Sequence, residues 1–128
     1  MDLLLRWLLT FWTVLLIYLP KQAEVYAIRD HHVRISEIGA IEKETYAVLF
    51  YLPDCFSCRA VLDYILQSRV YLVVDLYYLN MGEEEYLSYR SEEKILSAPT
   101  LLSVSDAGCT RIEGLDAVHL YLEKMIDR

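Results

Sequence analysis

The hydrophobic pattern divides this chain into an almost unbroken apolar N-terminus and a remainder of alternating short runs. From Leu3 to Leu19 the only charge is Arg6, and Trp7 to Leu19 is a stretch of thirteen uncharged residues ending before Pro20 and Lys21. Apart from Thr10 and Thr13 it offers no polar position, so it lacks the polar face of an amphipathic core helix. Its length is that of a signal-peptide core and short of the ~20 residues that a spanning helix needs. Val25 and Ala27 form a small-residue pair suited to cleavage after Ala27. Residues 1–27 are therefore expected to be either a signal peptide or an uncleaved membrane anchor. In the second case Leu3 to Leu5 lengthen the apolar segment, and Trp7, Trp12 and Tyr18 sit at the interface. Residues 28–128 are expected to form one domain.

In that domain the pattern alternates between strand-like and helix-like runs. Asp30-His31-His32 is polar and reads as loop, and Val33-Arg34-Ile35 as a short edge strand. Ser36 resembles a helix N-cap, opening a short helix with Ile38 and Ile41 inward that ends near Glu44. Tyr46 to Leu52, aromatic and apolar, predicts a buried strand, and Arg59 to Ser68 a helix with Val61, Tyr64 and Ile65 at helical spacing. Val70 to Leu79 is a second strand-like run. The intervening helix makes it parallel to the first, since right-handed crossovers dominate. Glu83 to Leu96 reads as helix, broken by Ser97-Ala98-Pro99. Thr100 to Val104 and Thr110 to Glu113 predict two antiparallel strands about an Asp106-Ala107-Gly108 turn. After Gly114, Asp116 to Asp127 predicts a last helix packing through Val118, Leu122, Met125 and Ile126. There is no internal repeat or linker, and the fold class is α/β.

Composition narrows the function classes. The net charge is −7 with no block of lysine and arginine, which argues against a nucleic-acid partner. Glu83-Glu84-Glu85 and Glu92-Glu93 read as a solvated helix face. The eleven tyrosines are read as strand and core residues.

The chemistry lies in Tyr51-Leu52-Pro53-Asp54-Cys55-Phe56-Ser57-Cys58-Arg59. A strand, then two cysteines separated by two residues, then a helix is a redox arrangement. So short a loop restrains the unfolded chain little, so a structural disulfide is the weaker account of the pair. Cys109, just past the hairpin turn, is the odd thiol, either exposed and oxidisable or packed and inert. A zinc site built from Cys55, Cys58, Cys109 and one of His31, His32 or His119 is a lesser alternative, because the ligands are scattered apart from one pair.

This order of elements resembles the thioredoxin fold over roughly Val33 to Asp127. Cys55 and Pro99 are 44 residues apart, as in ordinary thioredoxins, and Ala98-Pro99-Thr100 before an apolar strand is similar to their cis-proline segment. Departures accompany the likeness: Asp54 stands where thioredoxins usually carry tryptophan, Phe56-Ser57 replaces Gly-Pro, and their buried acid falls on Leu49. The stretch Phe50 to Arg59 is also similar to small exported thioredoxin-like proteins, among them accessory proteins encoded with bacteriocins.

The resemblance implies a central mixed sheet flanked by helices, preceded here by the N-terminal hydrophobic helix, and a thiol–disulfide oxidoreductase needing no cofactor or metal. Cys55 is the expected attacking thiol, because a helix N-terminus favours negative sulfur. Cys58, one turn deeper, is the expected resolving thiol of a redox-active Cys55–Cys58 disulfide. Pro99 is expected in a cis peptide bond after Ala98, whose backbone can pair with an extended substrate segment. Asp54 is read as a helix cap, Arg59 as pointing to solvent, and Asp75 as facing water near a strand end. Expected partners are protein or peptide thiols and disulfides, a redox-recycling protein, and the membrane if residues 1–27 are retained. The expected location is the extracytoplasmic face of the membrane, the cell envelope or the periplasm, or the medium. The competing reading is a non-catalytic accessory protein that binds a transporter or a secreted peptide.

Overall fold

A computed structural model describes residues 3–9 and 30–127. They belong to two units dividing at Asp30. In the first, residues 3–9 form a helix, α1, with Leu3, Leu4, Leu5, Trp7, Leu8 and Leu9 all exposed. No helix among the described residues is long and apolar enough to cross a membrane. Most of the expected signal or anchor, including the Ala27 boundary, lies outside the described residues.

The second unit is built on a four-stranded sheet in the order β2-β1-β3-β4. β1 spans Tyr46–Tyr51 and β2 Leu76–Asn80, and they pair in parallel with Ala47 opposite Leu76 and Tyr51 opposite Asn80. β3, Thr100–Ser105, runs antiparallel to β1 with Phe50 opposite Thr100, and to β4, Gly108–Glu113. Gly108 has φ +124°, a conformation open to glycine and strained for other residues, and it closes the hairpin turn.

Alternation along β1 sends its side chains to two cores. Val48 and Phe50 join Leu79, Met81, Tyr86 and Ile95 in one cluster. Ala47, Leu49 and Tyr51 point to the other face. Helix α2, Phe56–Ser68, buries Cys58, Val61 and Ile65, and helix α4, Leu115–Ile126, buries Val118 and Leu122. These two helices pack on each other, with the ring of Tyr64 edge-on to His119 at 4.2 Å. Met125 is half-buried and Ile126 is exposed.

Four local expectations are corrected. Residues 33–35 form no strand; His32 makes a single parallel bridge to Tyr78, and the Val33 N–H donates to the Tyr78 carbonyl at 2.9 Å. The expected helix from Ser36 to Glu44 is a 3-10 turn, Ile35–Ala40, capped by Arg34 through a reciprocal pairing with Glu37. The run from Val70 enters the sheet only at Leu76. Arg69 ends α2 in the left-handed region with its N–H on the Ile65 carbonyl, and Val70–Leu72 turns back as a 3-10 helix. Val70 is buried there while Leu72 and Val73 stay exposed. The long helix expected from Glu83 to Leu96 is a short α3, Glu84–Ser88. Downstream the Ser91 hydroxyl accepts the Glu93 N–H, a local turn that competes with helix. The Tyr86 hydroxyl donates to the Ile95 carbonyl, so Ile95 enters the core from an irregular segment.

Candidate functional site

The register of the sheet determines what meets at its end. β1 stops at Tyr51, β2 at Asn80, and β3 starts at Thr100 opposite Phe50. The segments 52–55, 80–82 and 97–99 therefore emerge at the same edge of the sheet.

Cys55 is the N-cap of α2 in extended conformation, and its Sγ accepts the Cys58 N–H at 3.2 Å. The cap expected of Asp54 is thus supplied by the cysteine itself, whose extended backbone stands immediately before the first helical residue, Phe56; Asp54, one residue earlier, is exposed. Cys55 is half-buried, and its Sγ lies 3.9 Å from the Ala98 carbonyl oxygen. The Ala98–Pro99 peptide bond is cis, Ala98 half-buried and Pro99 buried. Pro99 is anchored from behind, its carbonyl accepting the Gly114 N–H at 3.0 Å, and Thr100 donates to the Ser97 carbonyl at 2.8 Å.

Cys58 is fully buried, and its Sγ accepts the Leu52 N–H at 3.5 Å. Burial pushes its thiol up from 9.0 to about 11, helped by the hydrogen bond with Cys55 and opposed by the Leu52 amide. Both cysteines are free thiols. No carboxylate stands at Leu49, which is buried between Tyr78 and Leu101. Asp75 is exposed, and its carbonyl accepts the Ala47 N–H at the opposite end of the sheet from Cys58. Arg59 is exposed, with its Nε donating to the Pro53 carbonyl at 3.3 Å.

Cys109 is an exposed thiol on β4 and lines a depression separate from the one beside Cys55. Among the described residues no group of three or more His, Cys, Asp or Glu is placed to hold a metal. His119 faces Tyr64 and Glu123, whereas His31 donates from Nδ1 to the Leu76 carbonyl at 2.8 Å.

Two features of this edge escape the linear reading. His32 hydrogen-bonds through Nε2 to the Tyr51 hydroxyl, tying the entering chain to the last residue of β1. Asn80 and Gly82 line a groove next to Cys55 with Leu52, Pro53 and Asp54. In the sequence the first pair reads only as loop and core, and the second only as a strand end.

No family model and no curated protein sequence matches the chain. Solved structures do. Mitochondrial thioredoxin 3 of Saccharomyces cerevisiae superposes with a TM-score of 0.61 at 17% identity, covering 79% of this chain and 97% of that one. Thioredoxin O2 of Arabidopsis thaliana gives 0.55 at 19% identity, covering 77% and 94%. Fasciola hepatica thioredoxin gives 0.52 at 18% identity, covering 73% and 88%. The chain has the thioredoxin fold.

Proposed function

We propose that this chain is a thiol–disulfide oxidoreductase acting on protein or peptide substrates, with Cys55 as nucleophile and Cys58 as resolving thiol. The observation that carries the reading is the half-buried Cys55 sulfur at the start of α2, bonded by the Cys58 amide and 3.9 Å from the Ala98 carbonyl. At that position the sulfur accepts a helix-end N–H and stays within reach of a substrate sulfur.

In the reducing direction, the Cys55 thiolate attacks one sulfur of a substrate disulfide. The substrate S–S bond breaks, its other sulfur leaves as thiolate and takes a proton, and a Cys55–substrate mixed disulfide remains. Cys58 then gives up its proton and attacks the Cys55 sulfur. The second substrate thiol is released and a Cys55–Cys58 disulfide carries away the two-electron oxidation. Cys58 is fully buried, and its thiol is pushed up to about 11, whereas the half-buried Cys55 sulfur can be reached from outside, so the first attack falls to Cys55. The half-buried Ala98 backbone beside Cys55 suits pairing with an extended substrate segment. The reverse sequence oxidises a dithiol. The reduction potential decides between the directions: about −270 mV makes a reductant and about −120 mV an oxidant.

We also propose that the protein is exported, either anchored in the membrane or released, on the strength of the thirteen uncharged residues from Trp7 to Leu19. A separate redox protein would recycle it there.

Insulin disulfide reduction by the full chain tests the catalytic reading. Wild type is expected to accelerate it, Cys55→Ser to fall to the uncatalysed rate, and Cys58→Ser to accumulate a mixed disulfide visible on non-reducing gels. Wild-type inactivity together with an unreactive Cys55 would favour the accessory, peptide-binding role instead.

A further inference from the structure

The groove beside Cys55 has a composition that the exchange chemistry does not require. Leu52, Pro53, Asp54, Cys55, Asn80 and Gly82 line it, and it exists because Tyr51 and Asn80 are register partners whose following segments diverge side by side. Gly82 keeps it open. A Cβ there would stand 3.2 Å from Asn80 Oδ1 and 3.8 Å from Leu52 Cδ2, and that Oδ1 is held in place by the Gly82 N–H at 2.8 Å.

The groove joins an apolar wall to an acidic rim. Leu52 and Pro53 supply the wall, and Phe56, 86% exposed, adds a free aromatic ring beside Cys55. Asp54 is exposed on the rim, and Glu83 follows Gly82. Behind burial, the charge of Glu83 is the second cause that raises the Tyr51 hydroxyl, which places this carboxylate's field at the end of β1. The neighbouring cation is Arg59, whose Nε is engaged by the Pro53 carbonyl. Asp54 on the rim and Glu83 beyond Gly82 thus put two carboxylates in this region of a chain whose net charge is −7.

We propose that this groove receives a lysine or arginine side chain next to the reacting cysteine of the substrate, so that the protein selects basic segments around the cysteine it attacks. The aliphatic stem of such a side chain lies on Leu52 and Pro53 while its charged head reaches Asp54 and Glu83. An acidic neighbour would bring like charges together in the same place. This specificity rests on the thiol–disulfide exchange reading above.

The test uses the reduced full-length protein and three short peptides differing only in the residues flanking one cysteine: lysine, glutamine or glutamate. Each peptide is supplied as its mixed disulfide with thionitrobenzoate. Cys55 attacks the peptide sulfur, the S–S bond breaks, and coloured thionitrobenzoate leaves with the electron pair; Cys58 then displaces the peptide thiol. Each rate is divided by that of mercaptoethanol with the same peptide, which cancels the peptide's own reactivity. The expected order is lysine, glutamine, glutamate, with about tenfold between the extremes at low salt, narrowing as salt screens the charges. In the Asp54→Asn, Glu83→Gln double variant the ratio should fall toward one. Equal normalised rates, a preference for glutamate, or a ratio unmoved by the double variant would overturn the specificity while leaving exchange intact. Absence of release from every peptide, with wild type no faster than Cys55→Ser, would remove the exchange reading and this one with it.

Discussion

Buried in the first turn of α2, the Cys58 thiol is raised from 9.0 to about 11 by burial first, then by its hydrogen bond to Cys55 and by that group's charge. In Cys55→Ala the last two causes disappear and burial remains. Titrating the thiolate absorbance of that variant should give a Cys58 midpoint below 11 and above 9.0; a midpoint at or under 9.0 would show the site to be open to water. The sign for stability follows. A group whose folded value lies above its unfolded one stabilises fully below the unfolded value. That contribution is lost as pH rises through the folded one. The dithiol form should therefore lose resistance to denaturant between about pH 9 and 11. The buried Tyr78 and Tyr86 hydroxyls, also raised chiefly by burial, push the same way.

At the scale of elements, the cis-proline segment depends on how the chain between α3 and β3 is pinned. That stretch has no regular structure, yet it must deliver Ala98 to Cys55. Tyr86 pins it through its hydroxyl on the Ile95 carbonyl and its ring under the Lys94 ammonium, 5.0 Å from the centroid. Tyr86→Phe keeps the ring and leaves a buried carbonyl unpaired, which costs about 1–3 kcal/mol. Denaturant unfolding should show a loss of that size. A change below about 0.5 kcal/mol, the range of a neutral surface substitution, would mean that another donor takes over the carbonyl. The helix expected to run to Leu96 stops at Ser88 for the same reason. Burying Tyr86 and Ile95 in one cluster outweighs the helix propensity of the intervening residues, Arg90, Glu92, Glu93 and Lys94 among them.

On the scale of the whole molecule, a thioredoxin-fold domain follows a strongly apolar N-terminus, and the export proposal concerns their combination. In cells expressing the full chain, the protein should be accessible to externally added protease or recovered outside the cytoplasm. Deleting residues 1–27 should confine it to the cytosol. Recovery of the full chain in the cytosolic fraction alone would sink that proposal without touching the exchange chemistry.

Features governed by near neighbours were legible along the chain before any folding was considered. These are the apolar run at the N-terminus, β1, the helix after the cysteine pair, the tight hairpin at Gly108, and the thiol pairing of Cys55 with Cys58 across one helical turn. Each is dictated by spacing, backbone freedom or a few adjacent side chains. Tertiary structure decided the rest. Val70 to Asp75 reads as strand by composition, but the chain must reverse after α2 before it can lie parallel to β1, and the Arg69 turn and the buried Val70 consume those residues. His32 meeting Tyr51, and Asn80 and Gly82 meeting Leu52, depend on strand register, which joins residues far apart in the chain. No local pattern encodes such a meeting, because its free energy comes from burial and hydrogen bonding that exist only once the sheet has formed.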